Sequence, residues 1–183
     1  LLRQSEIEMA AEFGWSHKIS EVPAIGLSAE RHATPALRAE IAAMLDLIAC
    51  ERLDVRYEIT PLSRGRYLLE GTLVADVTQS CVVTLEPVET HLVEPFEVEF
   101  HPGLPETEAV VEFDALETRE VEPLEDDTIP VGRIVYEHLA SALPAYPRKE
   151  GAVFEQPPEP EATRPVTSPF AILEQLKKPK SQK

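Results

Sequence analysis

Two cysteines, five histidines and a dense run of carboxylates are the residues of this chain that could carry chemistry. The thiols are Cys50 and Cys81, and the imidazoles are His17, His32, His91, His101 and His138. No histidine lies four residues from another or beside a cysteine. A tetrahedral zinc site needs about four nitrogen or sulfur ligands, so this spacing offers no metal centre. The carboxylates gather in Glu106 to Asp127, ten of them against Arg119. They lack the regular ligand spacing of a calcium loop, and no motif sets them around paired ions about 4 Å apart, as a two-metal nuclease requires. The seven glycines are too dispersed to form a phosphate-binding loop. Cys81 falls on the apolar face of an alternating pattern with no local base, which predicts an inert core thiol. The residues thus predict no catalytic site, no metal and no cofactor.

Charge narrows the partners. The 183 residues carry a net charge of −16. An acidic surface repels phosphate, the main source of non-specific nucleic-acid affinity. Direct duplex binding by the main domain is disfavoured, and a basic partner, or simply solubility, is the natural reading of the charge. Two isolated thiols form no secreted disulfide framework. No apolar run reaches the roughly 18 residues that span a bilayer. The polar, acidic start is unlike a signal peptide. A cytoplasmic, non-membrane protein is expected.

The elements that would position these residues follow from periodicity. An N-terminal extension covers 1–11, and 12–27 reads as an opening strand and loop. Thr34 to Cys50 predicts a helix, with Thr34 as cap, Pro35 in the first turn and Leu37, Ile41, Met44, Leu45 and Ile48 on one stripe. Val55, Tyr57 and Ile59 then alternate with charged residues, as in a half-buried strand. From Leu69 the alternation continues through Ala75, Gln79 and Cys81 to Leu85. Strands usually run to about six residues, so a bend or bulge near Gln79 and Ser80 is expected to divide this run into two strands. Glu86-Pro87 marks a turn. Val88 to Phe100 alternates again, with Pro95 inside it indicating an edge or a bulge.

The acidic segment 106–127 reads as a loop, with Val110, Val111 and Phe113 as a short strand within it. Pro130 to Leu143 predicts a second helix, with Asp126 and Asp127 favouring its positive end. Residues 153–167 form a proline-rich linker. Residues 168–183 form a short helical, basic tail. There Pro169, Phe170, Ile172, Leu173 and Leu176 make an apolar docking stripe that ends in Lys177 and Lys178, and the pattern fits docking on a partner and folding back on the chain's own domain equally. The fold expected is α+β: a curved antiparallel sheet, open and partly barrel-like, with two packed helices and a flexible C-terminal tail. The domain proper spans 12–152.

Three blocks of sequence, Val74 to Val88, Glu122 to Ala152 and Ser168 to Lys178, together resemble the YceD family of large ribosomal RNA subunit accumulation proteins. The motif residues are Gln79, Cys81, Leu85, Glu86 and Pro87, then Glu122, Pro123, Leu124 and Gly132, then Tyr146, Pro147 and Arg148. The Thr-Leu-Glu-Pro wording at 84–87 is most similar to the alphaproteobacterial branch. The resemblance implies a cytoplasmic, non-enzymatic role in large-subunit (23S) rRNA accumulation or processing. Its partners would be large-subunit ribosomal proteins or assembly factors, with rRNA reached indirectly. Many relatives carry Cys-x-x-Cys where this chain has Cys81-Val82-Val83-Thr84, so a metal or redox role does not carry over. Their Asp-Leu-Gly is here Pro130-Val131-Gly132, which removes an acidic helix cap. Two rival readings remain open. One is direct rRNA binding through the basic tail and a strip of Arg64, Arg66 and Arg148. The other is a metal-dependent enzyme of rRNA maturation.

Overall fold

A computed structural model of the chain describes residues 14–103 and 120–153. The expected N-terminal extension, most of the acidic segment, the proline-rich linker after Val153 and the docking stripe from Pro169 to Lys178 lie outside the described residues. The elements in chain order are β1 (His17–Lys18), β2 (Leu27–His32), α1 (Pro35–Met44), β3 (Ala49–Pro61), β4 (Tyr67–Ser80), β5 (Pro87–His101), β6 (Glu120–Pro123), β7 (Thr128–Ile129) and α2 (Val131–Ala142). The five-stranded sheet has the order β2-β3-β4-β5-β6, and β1 pairs with β7 in a small second sheet. The α+β class holds, and the large sheet stays open. One pairing departs from the antiparallel expectation, because β6 runs parallel to β5 from Val98↔Glu120 to His101↔Pro123. This strand lies within the segment read as an acidic loop. Its four residues are too few and too charged to show an alternating pattern.

One sheet face is the core. Tyr57, Leu69, Leu73, Ala75, Phe96, Val98 and Phe100 are buried on it, and Val131, Ile134, Val135 and Leu139 of α2 are buried with them. Burying a side chain of this size is worth about 2 kcal/mol. The α2 stripe therefore fixes the helix on β4 and β5. Its start carries no side-chain cap, since Pro130 stands at the cap position. Instead the Gly132 N–H donates to the Trp15 carbonyl at 2.9 Å. The Tyr57 hydroxyl meets His17 Nε2 at 2.7 Å, which ties β1 to the main sheet.

The first helix is shorter than its apolar spacing predicts. Thr34 caps it through Leu37 N–H at 3.2 Å and Pro35 opens it, but it stops at Met44. Asp46 then takes a left-handed conformation with φ 53°. Leu47 turns into the core, and Ile48 N–H already donates to the Thr78 carbonyl on β4. Ile48 is left 55% exposed. The sheet claims the last residues of the predicted helix, and Cys50 becomes part of β3.

β4 is the second departure. No bend divides it, since it runs unbroken from Tyr67 to Ser80 and is paired with β5 from Tyr67↔Phe100 to Ser80↔Pro87 without a slip. The residues from Cys81 to Leu85 form no strand. They make the turn between β4 and β5.

Gly71 is the close approach that allows this packing. A Cβ there would lie 2.6 Å from the Arg56 carbonyl and from the Phe96 ring, and 2.9 Å from Tyr57 Cβ. Rigid backbone on one side cannot give way. Gly71→Val is expected to lower stability by about 3 kcal/mol, read as a fall in thermal midpoint of roughly 10 °C. Thr72→Val, on the opposite face, should leave the midpoint nearly unchanged.

Candidate functional site at the Cys81 turn

The turn from Cys81 to Glu86 is closed by its own backbone. Cys81 N–H donates to the Glu86 carbonyl at 2.8 Å, and Leu85 N–H donates to the Cys81 carbonyl at 2.9 Å. Leu85 completes the reversal with φ 62°, a left-handed conformation that costs a non-glycine residue about 1 kcal/mol. Yet its side chain is 77% exposed, so little packing offsets that cost.

The segment after α2 braces the turn. The Pro147 carbonyl accepts from Val82 N–H at 2.9 Å. Gln79 Nε2 donates to the Pro144 carbonyl at 3.2 Å, and Lys149 Nζ bonds Glu86 at 3.0 Å. Lys149 holds the Glu86 carboxyl below its usual range. Gln79 Oε1 is enclosed without a hydrogen-bond partner among the described residues.

Cys81 sits under this brace. Its Sγ accepts N–H groups from Val83, Thr84 and Lys149, each at 3.4 Å, and the side chain is 0% exposed. The Lys149 amide, the Thr84 hydroxyl and the Thr84 amide stabilise the thiolate more than burial opposes it, and the thiol is lowered to about 6. The burial expected of Cys81 holds, but its surroundings are not the apolar ones expected. Its strand has ended and amides surround it. Cys50, under apolar residues, is pushed up by burial.

The motif residues thus fall into two groups. Gln79, Cys81, Leu85, Glu86, Pro87, Tyr146, Pro147 and Arg148 meet at the turn. Glu122, Pro123, Leu124 and Gly132 lie away from it, around the β6–α2 corner. Glu122 forms a salt bridge with Arg133, which also bonds Glu137 at 3.1 Å. Pro123 ends β6 opposite His101, and Leu124 N–H donates to the His101 carbonyl at 2.8 Å. Sequence reasoning missed two residues of the turn site. Val82 is 48% exposed, and Lys149 supplies both an amide and an ion pair. Their contacts join segments 63 or more positions apart, which no local pattern reports.

The strip of Arg64, Arg66 and Arg148 does not form. Arg64 and Arg66 flank the β3–β4 turn, whereas Arg148 lies beside the β4–β5 turn. The length of β4, roughly 40 Å, separates them. Arg66 is moreover engaged with Glu99 at 2.7 Å. Among the described residues, no three His, Cys, Asp or Glu side chains converge as metal ligands. Nor is any described helix long and apolar enough to cross a membrane.

Fold and site define an open-sheet α+β domain whose two motif-bearing segments lock together around one turn. Residues 69–177 match the model of the YceD family, described as large ribosomal RNA subunit accumulation protein. That is more than half of the chain, and the chain belongs to this family. Neither the curated proteins nor the solved structures compared with it give a match.

The amide cradle has a measurable consequence. A folded-state value below that of a free thiol means that Cys81 contributes stability in full above the free-thiol pKa. That contribution is lost as pH falls toward 6. Thiolate ultraviolet absorbance of the native chain should rise with a midpoint near 6, and Cys81→Ser should abolish that step and flatten stability over the same window. A first thiolate step at the ordinary cysteine value would contradict the cradle.

Proposed function

We propose that the chain is a cytoplasmic, non-enzymatic ribosome-biogenesis factor. It supports accumulation of large-subunit rRNA by holding a large-subunit ribosomal protein or an assembly factor. The family assignment supports the process. The observation that carries the contact reading is Leu85, kept 77% exposed at φ 62° on a turn braced from two sides. Backbone strain persists where surrounding structure over-determines it, and such places cluster at functional sites. Val82 in the same turn and Tyr146, 78% exposed beside the bracing Pro147, are further exposed apolar side chains. An aromatic ring and a leucine on a rigid turn are suited to act as interface anchors, which can each contribute about 2 kcal/mol or more. In this reading Phe170, Ile172, Leu173 and Leu176 form a second contact, tethered by the proline-rich linker.

Affinity capture with the tagged full chain from a native lysate tests the proposal. Large-subunit ribosomal proteins or assembly factors should be enriched, and Leu85→Asp or Tyr146→Asp should cut their recovery roughly 30-fold. Leu85→Gly separates folding from contact. It should raise stability by about 1 kcal/mol, because glycine adopts φ 62° freely, while still weakening capture. Equal recovery by all variants, or recovery of rRNA without these proteins, would overturn the reading.

A further inference from the structure

The hydrogen-bond parity of the sheet exposes one edge in a defined way. Cys81 N–H donates to the Glu86 carbonyl, and β4 and β5 keep one register throughout. In an antiparallel pair, alternate residues bond their partner and those between point away. Even-numbered residues of β5 therefore bond β4, and odd-numbered residues present N–H and C=O to the other side. Two observations agree. The His101 carbonyl accepts from Leu124 beyond β6, and both prolines of the strand, Pro87 and Pro95, are odd-numbered, so neither breaks the ladder with β4. β6 takes up this edge from Val98 onward. Among the described residues, no strand pairs with it from Pro87 to Glu97.

We infer that the β5 edge between Pro87 and Pro95 accepts a short, extended, lysine- or arginine-bearing segment of a partner protein as an added strand. The outward N–H groups of Glu89, His91 and Val93 call for a polypeptide backbone. The two prolines limit the added strand to about six residues. Charge selects its sequence. Glu89 and Glu94 flank the edge without an ion pair among the described residues, and His91 is already bonded to Asp76 at 2.6 Å. A second copy of this edge would set glutamates against glutamates, which destabilises cross-strand pairing, and RNA would meet the same carboxylates. Exposed Val93, at 57%, offers an apolar contact to alternate residues of the incoming strand. The other free edge, β2, is shorter, and its carboxylate Glu30 is bonded to Arg56 at 3.1 Å.

The inference rests on the protein-contact reading and has its own test. The full chain is titrated with the hexapeptide Lys-Val-Lys-Val-Lys-Val, and amide resonances are followed by NMR. The expected result is salt-sensitive shifts at Glu89, His91 and Val93, with none from the glutamate-for-lysine peptide. Val93→Pro removes one outward N–H and, by parity, spares the ladder with β4. It should keep the thermal midpoint and weaken peptide binding about tenfold. Glu89→Lys should weaken it as well. The edge inference is overturned by equal binding of the acidic peptide, by Val93→Pro binding like the native chain, or by these three amides already being protected from exchange in the free chain. Capture of ribosomal proteins from lysate is run in parallel with Val93→Pro. If the native chain captures them and Val93→Pro does so equally, the edge inference fails alone. If the native chain captures none, the broader reading fails.

Discussion

Strand β4 is paired on both sides from Tyr67 to Thr78, and its register with β5 never slips. A one-residue slip would turn Leu69, Leu73 and Val77 away from the core. Burial of these side chains, with Tyr57 and Phe96 closing over Gly71, holds the register. Much else follows from it. Parity decides that Pro87 and Pro95 face an edge. The length of β4 sets the Cys81 turn at one end of the sheet and the Arg66–Glu99 pair at the other.

The two ends are built by different physics. At the β6–α2 corner, charges close the structure. Arg133 sits between Glu122 and Glu137, and burial pushes the Glu137 carboxyl up against the pull of Arg133. At the Cys81 turn, backbone groups do most of the work. Amides converge on a sulfur, and the carbonyls of Pro144 and Pro147 receive donors from β4 and the turn. Such bonds leave side chains free, and there Val82, Leu85 and Tyr146 stand outward. A turn fixed by its main chain can present apolar residues without collapsing onto them. This is the physical basis for reading it as a contact surface rather than a reaction centre.

Much of this was legible in the linear pattern. The acidity, the alternation of β3 and β5, the capped start of α1 and the apolar stripe of α2 all follow from residue types and spacing, because each is a local consequence of period and burial. The three blocks also marked the family, although they did not show that two of them touch.

Tertiary contact decided the rest. It ended α1 at Met44 by drawing Ile48 into bonding with β4, and it ended β4 at Ser80 in a turn where a second strand was expected to follow. It added a parallel strand within the acidic segment and parted the arginines that had read as one strip. Above all it changed Cys81. The sequence alone determined an apolar-patterned cysteine without a base nearby. Only the fold brought the Lys149 amide onto its sulfur from 68 positions away, and a hydrogen bond to the charged form outweighs burial in setting how readily that thiol ionises.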